Sequence, residues 1–207
     1  VSGVSANLAL IERAIDVKAD AIFVHHGIFW KDEDQTITGA KRRKVSLLLS
    51  HNINLFGYHL PLDAHPEEGN NVQLGKLLDI KNMKPVEGSL LWQGDLNNSL
   101  SDFTSRIEQK LERVPQVFGN QEEKILRVSW CTGGAQNYID EAITLDVGLY
   151  LSGEVSEKTP AAALENNLTY IAAGHHATER YGIQALCEHL SKTFQLQHQY
   201  IEIENTV

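Results

Sequence analysis

The chain has few of the residues that mark disulfide-rich, membrane-spanning or nucleic-acid-binding proteins. Its two cysteines, Cys131 and Cys187, lack metal-type spacing, which predicts buried structural thiols and a reducing, cytoplasmic location. No apolar run approaches the roughly eighteen residues of a membrane span, so we expect no membrane partner. Basic residues number 18 against 27 acidic ones, and the net charge of −9 argues against broad binding to nucleic acid.

Strand and helix patterns alternate along most of the 207 residues. Ala21 to Val24 is a continuous apolar run, typical of a strand that is buried on both faces. Upstream of this run, apolar residues recur at helical spacing at Leu8, Ile11 and Ile15, and Asn7 is a candidate N-cap for the helix. This alternation predicts an α/β fold with mostly parallel sheets that are covered by helices.

The alternation restarts after an irregular middle, which suggests an internal repeat. Residues 21–24 resemble residues 148–151 at a shift of 127 positions, and residues 52–55 resemble residues 167–170 at a shift of 115. Any two α/β segments can look alike, so chance resemblance remains the alternative. Under the repeat interpretation the chain forms two similar lobes, residues 1–84 and 85–207, that share a cleft. The core strand at Val1 also predicts an element upstream of the first lobe.

Histidines and carboxylates concentrate where three predicted strands end. His25 and His26 follow the first strand, His59 and Asp63 follow the second, and the third leads into His175, His176 and Glu179. Five of the nine histidines lie at these three places. Because ligands bind open α/β sheets at the carboxyl ends of the strands, we expect these side chains to meet in one cleft.

The residue types at these strand ends favour a metal site. Adjacent histidines such as His25 and His26 point to opposite sides of a strand and can serve different metals. His175 and Glu179 are four residues apart and can face one point, and a carboxylate can bridge two cations. Mixed imidazole and carboxylate ligands suit zinc, iron, manganese or nickel. Each residue also has a structural alternative: Asp63 as a turn former, Glu179 as a first-turn helix carboxylate.

Four segments resemble the Nif-three-like dinuclear metal centre family, whose members carry the name GTP cyclohydrolase I type 2 homologue. The resemblance is closest to the short bacterial form and covers essentially the whole chain. The segments are Val24–Gly27 with Phe29–Lys31, His59–Pro66, Ser152–Glu157 and Ala173–Arg180.

The resemblance implies two interlinked α/β lobes, two metal ions at their junction and a hexameric ring. Carried over by motif, the metal ligands are His25, His26, Asp63, His175 and the bridging Glu179. His59 is then expected to support the ligands from behind.

Two further residues are predicted to take part in the chemistry. His176, beside a ligand, is expected to orient or contact the substrate. Under a shift of 127 positions, Ser152 and Gly153 align with His25 and His26, and we hypothesise that Glu154 lies near the cleft and assists hydrogen bonding or proton transfer. A structural loop carboxylate is the alternative for Glu154.

Three functions compete for this chain. The first is a metal-dependent hydrolase acting on a nucleotide-like or phosphate-bearing small molecule, with ring opening of GTP as one version that the family name suggests. The second is a non-catalytic metal-binding regulator or scaffold ring. Nucleic-acid binding inside a locally basic ring is the third, and the acidic composition argues against it.

Overall fold

The computed structural model describes residues 1–119 and 124–207, which form two sheets with helices packed against them. The strands are β1 (Ser2–Ser5), β2 (Ala21–His26), β3 (Asn54–Gly57), β4 (Lys81–Pro85), β5 (Trp92–Ser99), β6 (Gln116–Gly119), β7 (Lys124–Trp130), β8 (Leu149–Ser152) and β9 (Thr169–Ala172). The helices are α1 (Leu8–Asp16), α2 (Gly39–Ser50), α3 (Leu60–Ala64), α4 (Asn70–Leu77), α5 (Leu100–Leu111), α6 (Ile139–Ala142), α7 (Thr159–Glu165), α8 (His175–Thr178) and α9 (Arg180–Phe194). Short 3-10 turns flank α6 at Gln136–Tyr138 and Ile143–Leu145.

The first sheet is parallel, in the order β1-β2-β3, as the sequence predicts. Helix α1 begins at the predicted cap, where the Asn7 Oδ1 accepts a hydrogen bond of 2.8 Å from the Leu10 amide. Leu10, Ile11 and Ala14 on this helix pack with Ile22 and Val24 of β2 in one buried cluster. The helical spacing of these apolar residues therefore positions α1 over β2, whose carboxyl end delivers His25 and His26.

The second sheet is mixed, in the order β4-β5-β7-β8-β9-β6. Its parallel centre, β7-β8-β9, matches the predicted strands. The outer strands β4, β5 and β6 pair antiparallel and lie in the middle segment, where the sequence pattern was irregular. The α/β architecture with two similar lobes is thus confirmed, and the second lobe carries additional antiparallel strands.

The two parallel units repeat each other in detail. Asn52 and Asn167 both adopt left-handed backbone conformations, with φ of 53° and 52°, at the turn into β3 and β9. The Ile53 amide donates to the Leu48 carbonyl as the Leu168 amide donates to the Ala163 carbonyl, both at 2.9 Å. These pairs share the predicted shift of 115 residues and support the repeat.

The shift of 127 residues between β2 and β8 needs a correction of one position. Val24 pairs with Gly57 as Ser152 pairs with Ala172, so the register aligns residue 24 with residue 152, a shift of 128. Each later position moves accordingly, and His26 corresponds to Glu154. The sequence resemblance alone missed this because it compared apolar character, which is nearly uniform along both buried strands.

The division of the chain into lobes at residues 84 and 85 stays a prediction. Helices from either side of it pack against the opposite lobe. Val72 and Leu74 of α4 belong to the core of the second sheet. In return, Ile183 and Cys187 of α9 pack with Leu62 in a buried cluster beside the first sheet. This exchange holds the two lobes together around the region where the predicted ligands lie.

Two predicted elements differ from the structure. The predicted long helix over residues 177–194 is divided at Glu179, where the backbone conformation is not helical, into α8 and α9. The alternating stretch at residues 200–203 forms no extended strand and makes one isolated bridge, between Tyr200 and Ser2. The two cysteines are buried and unpaired, as predicted, and none of the helices in the described residues is long and apolar enough to cross a membrane.

Gly182 of α9 tests the contact between the two exchanged helices. A Cβ at Gly182 would lie 2.7 Å from the Asn70 amide nitrogen of α4, whereas one at Gly148 would meet only Ile125 at 3.8 Å. Gly182→Ala should therefore lower the free energy of unfolding by about 1–3 kcal/mol, although alanine favours a helix interior. Urea denaturation would measure this, with Gly148→Ala as the matched control, and an equal effect of both substitutions would contradict the prediction.

Candidate metal centre

The structure brings the five predicted metal ligands together between the lobes. His25 and His26 lie at the end of β2, Asp63 lies in α3, and His175 and Glu179 lie at the two ends of the α8 turn. Their ligand atoms form two groups that share Glu179, one with His25 and Asp63 and the other with His26 and His175, each within 4.8 Å. His25, Asp63 and Glu179 are buried.

The carboxylate of Glu179 lies at the centre of this cluster. Its Oε1 is 3.4 Å from the His25 Nε2, and its Oε2 is 3.2 Å from the His26 Nε2 and 3.1 Å from the His175 Nε2. The Asp63 Oδ1 is 3.5 Å from the same His25 nitrogen. One oxygen of Glu179 therefore faces each group, which is the arrangement of a bridging carboxylate.

The unpaired oxygen of Glu179 indicates that the residues fit a cation. Glu179 is 3% exposed, and its Oε2 has no hydrogen-bond partner among the described residues. The imidazole nitrogens of His26 and His175 approach it to 3.2 and 3.1 Å, but neither contact has the full geometry of a hydrogen bond. A buried anionic oxygen without a partner is costly, and metal ions held by these imidazoles and carboxylates would satisfy it.

Each of the three imidazoles is held by its other ring nitrogen. The His25 Nδ1 lies 2.9 Å from the Tyr58 carbonyl, the His26 Nδ1 lies 3.0 Å from the Ser5 Oγ, and the His175 Nδ1 lies 2.6 Å from the Glu154 Oε1. A carbonyl or carboxylate on Nδ1 favours the tautomer with a lone pair on Nε2. All three Nε2 atoms face Glu179, and the partners of His25 and His175 favour metal binding at Nε2 once those rings are neutral.

Asp63 is fixed by residues that the sequence analysis did not single out. Its Oδ1 accepts hydrogen bonds from Asn70 Nδ2 at 2.8 Å and Thr132 Oγ1 at 3.3 Å. The Asn70 Oδ1 in turn accepts a hydrogen bond of 3.0 Å from the Gly182 amide, and the Asn71 Oδ1 accepts one of 2.9 Å from the Thr132 amide. The only available signal was a pair of adjacent asparagines at a helix start, and their role depends on contacts 60 or more residues away in sequence.

The glycine turn at residues 132–134 provides space for the central carboxylate. Gly133 has a φ of +67°, and a Cβ there would overlap the Glu179 carboxylate. The Gly133 amide donates to Thr178 Oγ1 at 2.9 Å. This amide therefore fixes the α8 turn. The α-helix beyond the glycine turn, α6, has only four residues, so we assign the turn a role in packing.

The local environment separates the pKa values of the cluster. Burial opposes ionisation of Glu179, but interactions with His175 and His25 outweigh it and lower the pKa of Glu179 to about 2. The Glu179 carboxylate, with Glu154, raises the pKa of His175 to about 9. Burial lowers the pKa of His26 to about 4 and raises the pKa of Asp63. The cluster therefore contains a permanent central anion and imidazoles of very different basicity.

His59 and His176 lie around the ligand cluster. The His59 ring centroid is 5.1 Å from that of His25 and 4.8 Å from that of Trp30, and its ligand atom groups with those of His25 and His26. The His176 Nε2 lies 2.5 Å from the Glu202 Oε1, away from Glu179.

The other four histidines make contacts outside this cluster. The Nδ1 of His65 accepts hydrogen bonds from the amides of Glu67 and Glu68. His51, His189 and His198 contact the Leu47 carbonyl, Glu68 and Ser2 respectively.

The two-lobe register gives Glu154 a clear place in the site. At the corrected shift, Glu154 aligns with His26, the last residue of β2, and lies two residues beyond the end of β8 at Ser152. Its carboxylate reaches His175 and also accepts a hydrogen bond of 3.3 Å from Gln136 Nε2. The predicted proximity of Glu154 to the cleft thus agrees with its geometry, while its part in any reaction stays a prediction.

Comparisons with known proteins agree with this architecture. Two curated relatives named GTP cyclohydrolase 1 type 2 homolog are 51% identical over 209 residues, from Allochromatium vinosum, and 46% identical over 211 residues, from Pseudomonas aeruginosa. Each alignment covers 99% of this chain and 82% or 83% of the relative.

Solved structures extend the likeness to the whole fold. A protein described as ybgI, of unknown function, superposes with a TM-score of 0.96 at 45% identity, covering 100% of this chain and 84% of that one. Reduced HcgD from Methanocaldococcus jannaschii gives a TM-score of 0.84 at 25% identity, covering 99% and 82%. The Duf34/NIF3 (NGG1p interacting factor 3) family matches residues 1–206. The resemblance noted from the sequence is therefore confirmed, and the chain belongs to the Duf34/NIF3 family.

Proposed function

We propose that this chain holds two divalent metal ions on the shared Glu179 and hydrolyses a phosphate-bearing, nucleotide-like small molecule there. The observation that carries the proposal is the pair of ligand groups that meet at the two oxygens of one buried carboxylate. A bridging carboxylate reduces the repulsion between two cations and so favours a dinuclear site over two separate ones. The names of the curated relatives suggest a GTP cyclohydrolase-type ring opening as one form of the reaction.

The donor set indicates the class of metal. His25, Asp63 and Glu179 would hold one ion, and His26, His175 and Glu179 the other. Imidazole with carboxylate suits zinc, iron, manganese or nickel, and the absence of thiolate from these groups disfavours a structural zinc site. Each group has three protein ligands, which is the number that catalytic sites use when they keep a position open to solvent or substrate.

The chain's own residues orient the site around the metal ions. Bound ions would supply Lewis acidity toward a phosphoryl or carbonyl oxygen. Glu154 holds the imidazole of His175 through Nδ1, and Asn70 holds the carboxylate of Asp63. In this proposal His176, which is next to His175 and paired with Glu202, contacts a substrate that enters from that side.

A metal-binding regulator or scaffold is the alternative function, and it requires the same residues to bind metal. The two differ in turnover, since only the hydrolase requires a reaction that depends on the loaded site. The hexameric ring, the small-molecule partner and the cytoplasmic location stay predictions from the resemblance and the composition.

Removal of the bridging carboxylate should abolish metal loading. We expect about two ions per native chain, and less than about half an ion per chain in Glu179→Gln, because the amide keeps the shape but loses the negative charge. Elemental analysis after dialysis would measure this. Glu157→Gln, which alters an exposed glutamate, is the matched control.

The outcomes of that experiment separate the competing functions. Native metal content near zero, or equal content in Glu179→Gln and the control, would refute the dinuclear site. Stoichiometric metal without metal-dependent hydrolysis across nucleotide and phosphoester substrates would favour the regulator.

Metal binding should release protons, because His175 is protonated at neutral pH in the metal-free protein. With a His175 pKa of about 9, a divalent ion displaces at least about one proton, so apparent affinity rises about tenfold per pH unit between pH 7 and 9. Above the pKa the affinity levels off. Titration calorimetry in buffers of different ionisation heat counts the released protons. His189→Asn, at an exposed histidine, should leave that count unchanged, and a proton-free binding reaction at pH 7 would argue against the assignment.

Glu154→Gln tests whether this carboxylate positions His175. Loss of the charged partner on Nδ1 should reduce metal affinity or turnover by about 10–100-fold, the usual effect of removing a carboxylate behind a metal-binding histidine. The substitution should also lower the pKa of His175, which NMR titration of the metal-free protein reads directly. Less than a threefold loss together with an unchanged His175 titration would show that Glu154 is a structural loop residue.

A further inference from the structure

A small cavity opens beside the candidate metal centre on the side away from Asp63. Its volume is about 210 Å³. Two of its walls are imidazoles of the second ligand group, and another comes from the last residues of the described chain. It is lined by Ser5, His26, His175, His176, Asn205 and Val207.

The walls of this cavity combine an unused amide donor with the absence of acidic side chains. None of the six lining residues is an aspartate or glutamate, in a chain whose net charge is −9. Each lining imidazole already contacts a carboxylate and the Ser5 hydroxyl contacts His26, so the carboxamide of Asn205 is the lining side chain with an unused donor. No phenylalanine, tyrosine or tryptophan lines the cavity, so it offers no aromatic surface on which a nucleobase could stack.

Hydrogen bonds from two other parts of the chain hold the segment that carries Asn205. The Val207 carbonyl accepts from the His176 amide at 3.0 Å, and the Thr206 carbonyl accepts from Arg113 at 2.5 Å. The Asn205 Oδ1 accepts from the Val207 amide at 3.0 Å. The amide nitrogen of Asn205 has no acceptor among the described residues, so both of its hydrogens are available to a ligand.

The size of the cavity limits what it can hold. Pockets that enclose a drug-sized ligand measure roughly 300–1,000 Å³. A cavity of about 210 Å³ is smaller, so it takes one polar group of a nucleotide and leaves the base outside.

We propose that this cavity binds the phosphate group of the substrate and that Asn205 determines this specificity by donating a hydrogen bond to a phosphate oxygen. The inference rests on the proposed function, because His26 and His175, which would hold a metal ion, line the same cavity. It assigns a substrate-binding role to the segment around residue 205, which carries no predicted ligand.

Titration calorimetry with inorganic phosphate on the metal-loaded protein tests the proposal. Asn205→Asp keeps the side-chain shape but replaces the donor with a like charge, so phosphate binding should weaken at least about tenfold. Gln197→Glu adds the same charge at an exposed amide that lines a different groove, and it should leave phosphate binding unchanged. Ribose serves as the uncharged probe and should not bind measurably.

Each outcome bears on one hypothesis. Equal phosphate affinity in Asn205→Asp and wild type, or binding of ribose in place of phosphate, would overturn the assignment of this cavity. Equal weakening by Gln197→Glu would show a general charge effect and would overturn it too. Metal content is measured on the same samples: its absence from the wild type refutes the dinuclear site, whereas normal metal with Asn205-independent phosphate binding refutes only the role of this cavity.

Discussion

The burial of the Glu179 carboxylate between the lobes is the constraint on which the rest of the site depends. A carboxylate that is 3% exposed must meet positive or hydrogen-bonding groups on every side, or its ionised form is strongly disfavoured. His25 and His26 reach it from the first lobe and His175 from the second. The imidazoles therefore surround the carboxylate only when both lobes are docked, which makes the exchange of α4 and α9 between the lobes part of the chemistry as well as the fold.

The same constraint explains the small and polar residues around the cluster. Gly133 has no side chain because the Glu179 carboxylate occupies that space, and Gly182 has none because Asn70 lies against it. Asn70 then connects Asp63 to the α9 backbone. Positions that look unremarkable in the sequence are thus determined by a charge that they do not themselves carry.

The sequence singled out the side chains that cluster at the candidate site but missed most of the residues that support them, for a physical reason. Histidines that directly follow a buried strand stand out, since strand ends are recognisable from a local apolar run. Asn70 and Gly133 act through contacts with residues that are distant in the chain, and local patterns carry no information about such contacts. The antiparallel strands β4 to β6 were missed likewise, because half-exposed strands with lysine and asparagine lack the continuous apolar run of a buried one. Division of the predicted long helix at Glu179 also follows from tertiary contacts.

The corrected register shows how one repeated unit came to serve two tasks in a single site. In the first lobe the last two positions of the central strand β2 hold His25 and His26, whose Nε2 atoms face the central carboxylate. In the second lobe the equivalent positions hold Gly153 and Glu154, and Gly153 is packed so tightly that a Cβ would lie 2.7 Å from the His175 Cα. A second pair of imidazoles could not occupy that space. The second lobe instead contributes its nitrogen from His175, one strand further along, and uses Glu154 to hold that imidazole. The two ligand groups therefore differ in character, because only the group of His26, His175 and Glu179 has an imidazole backed by a full negative charge.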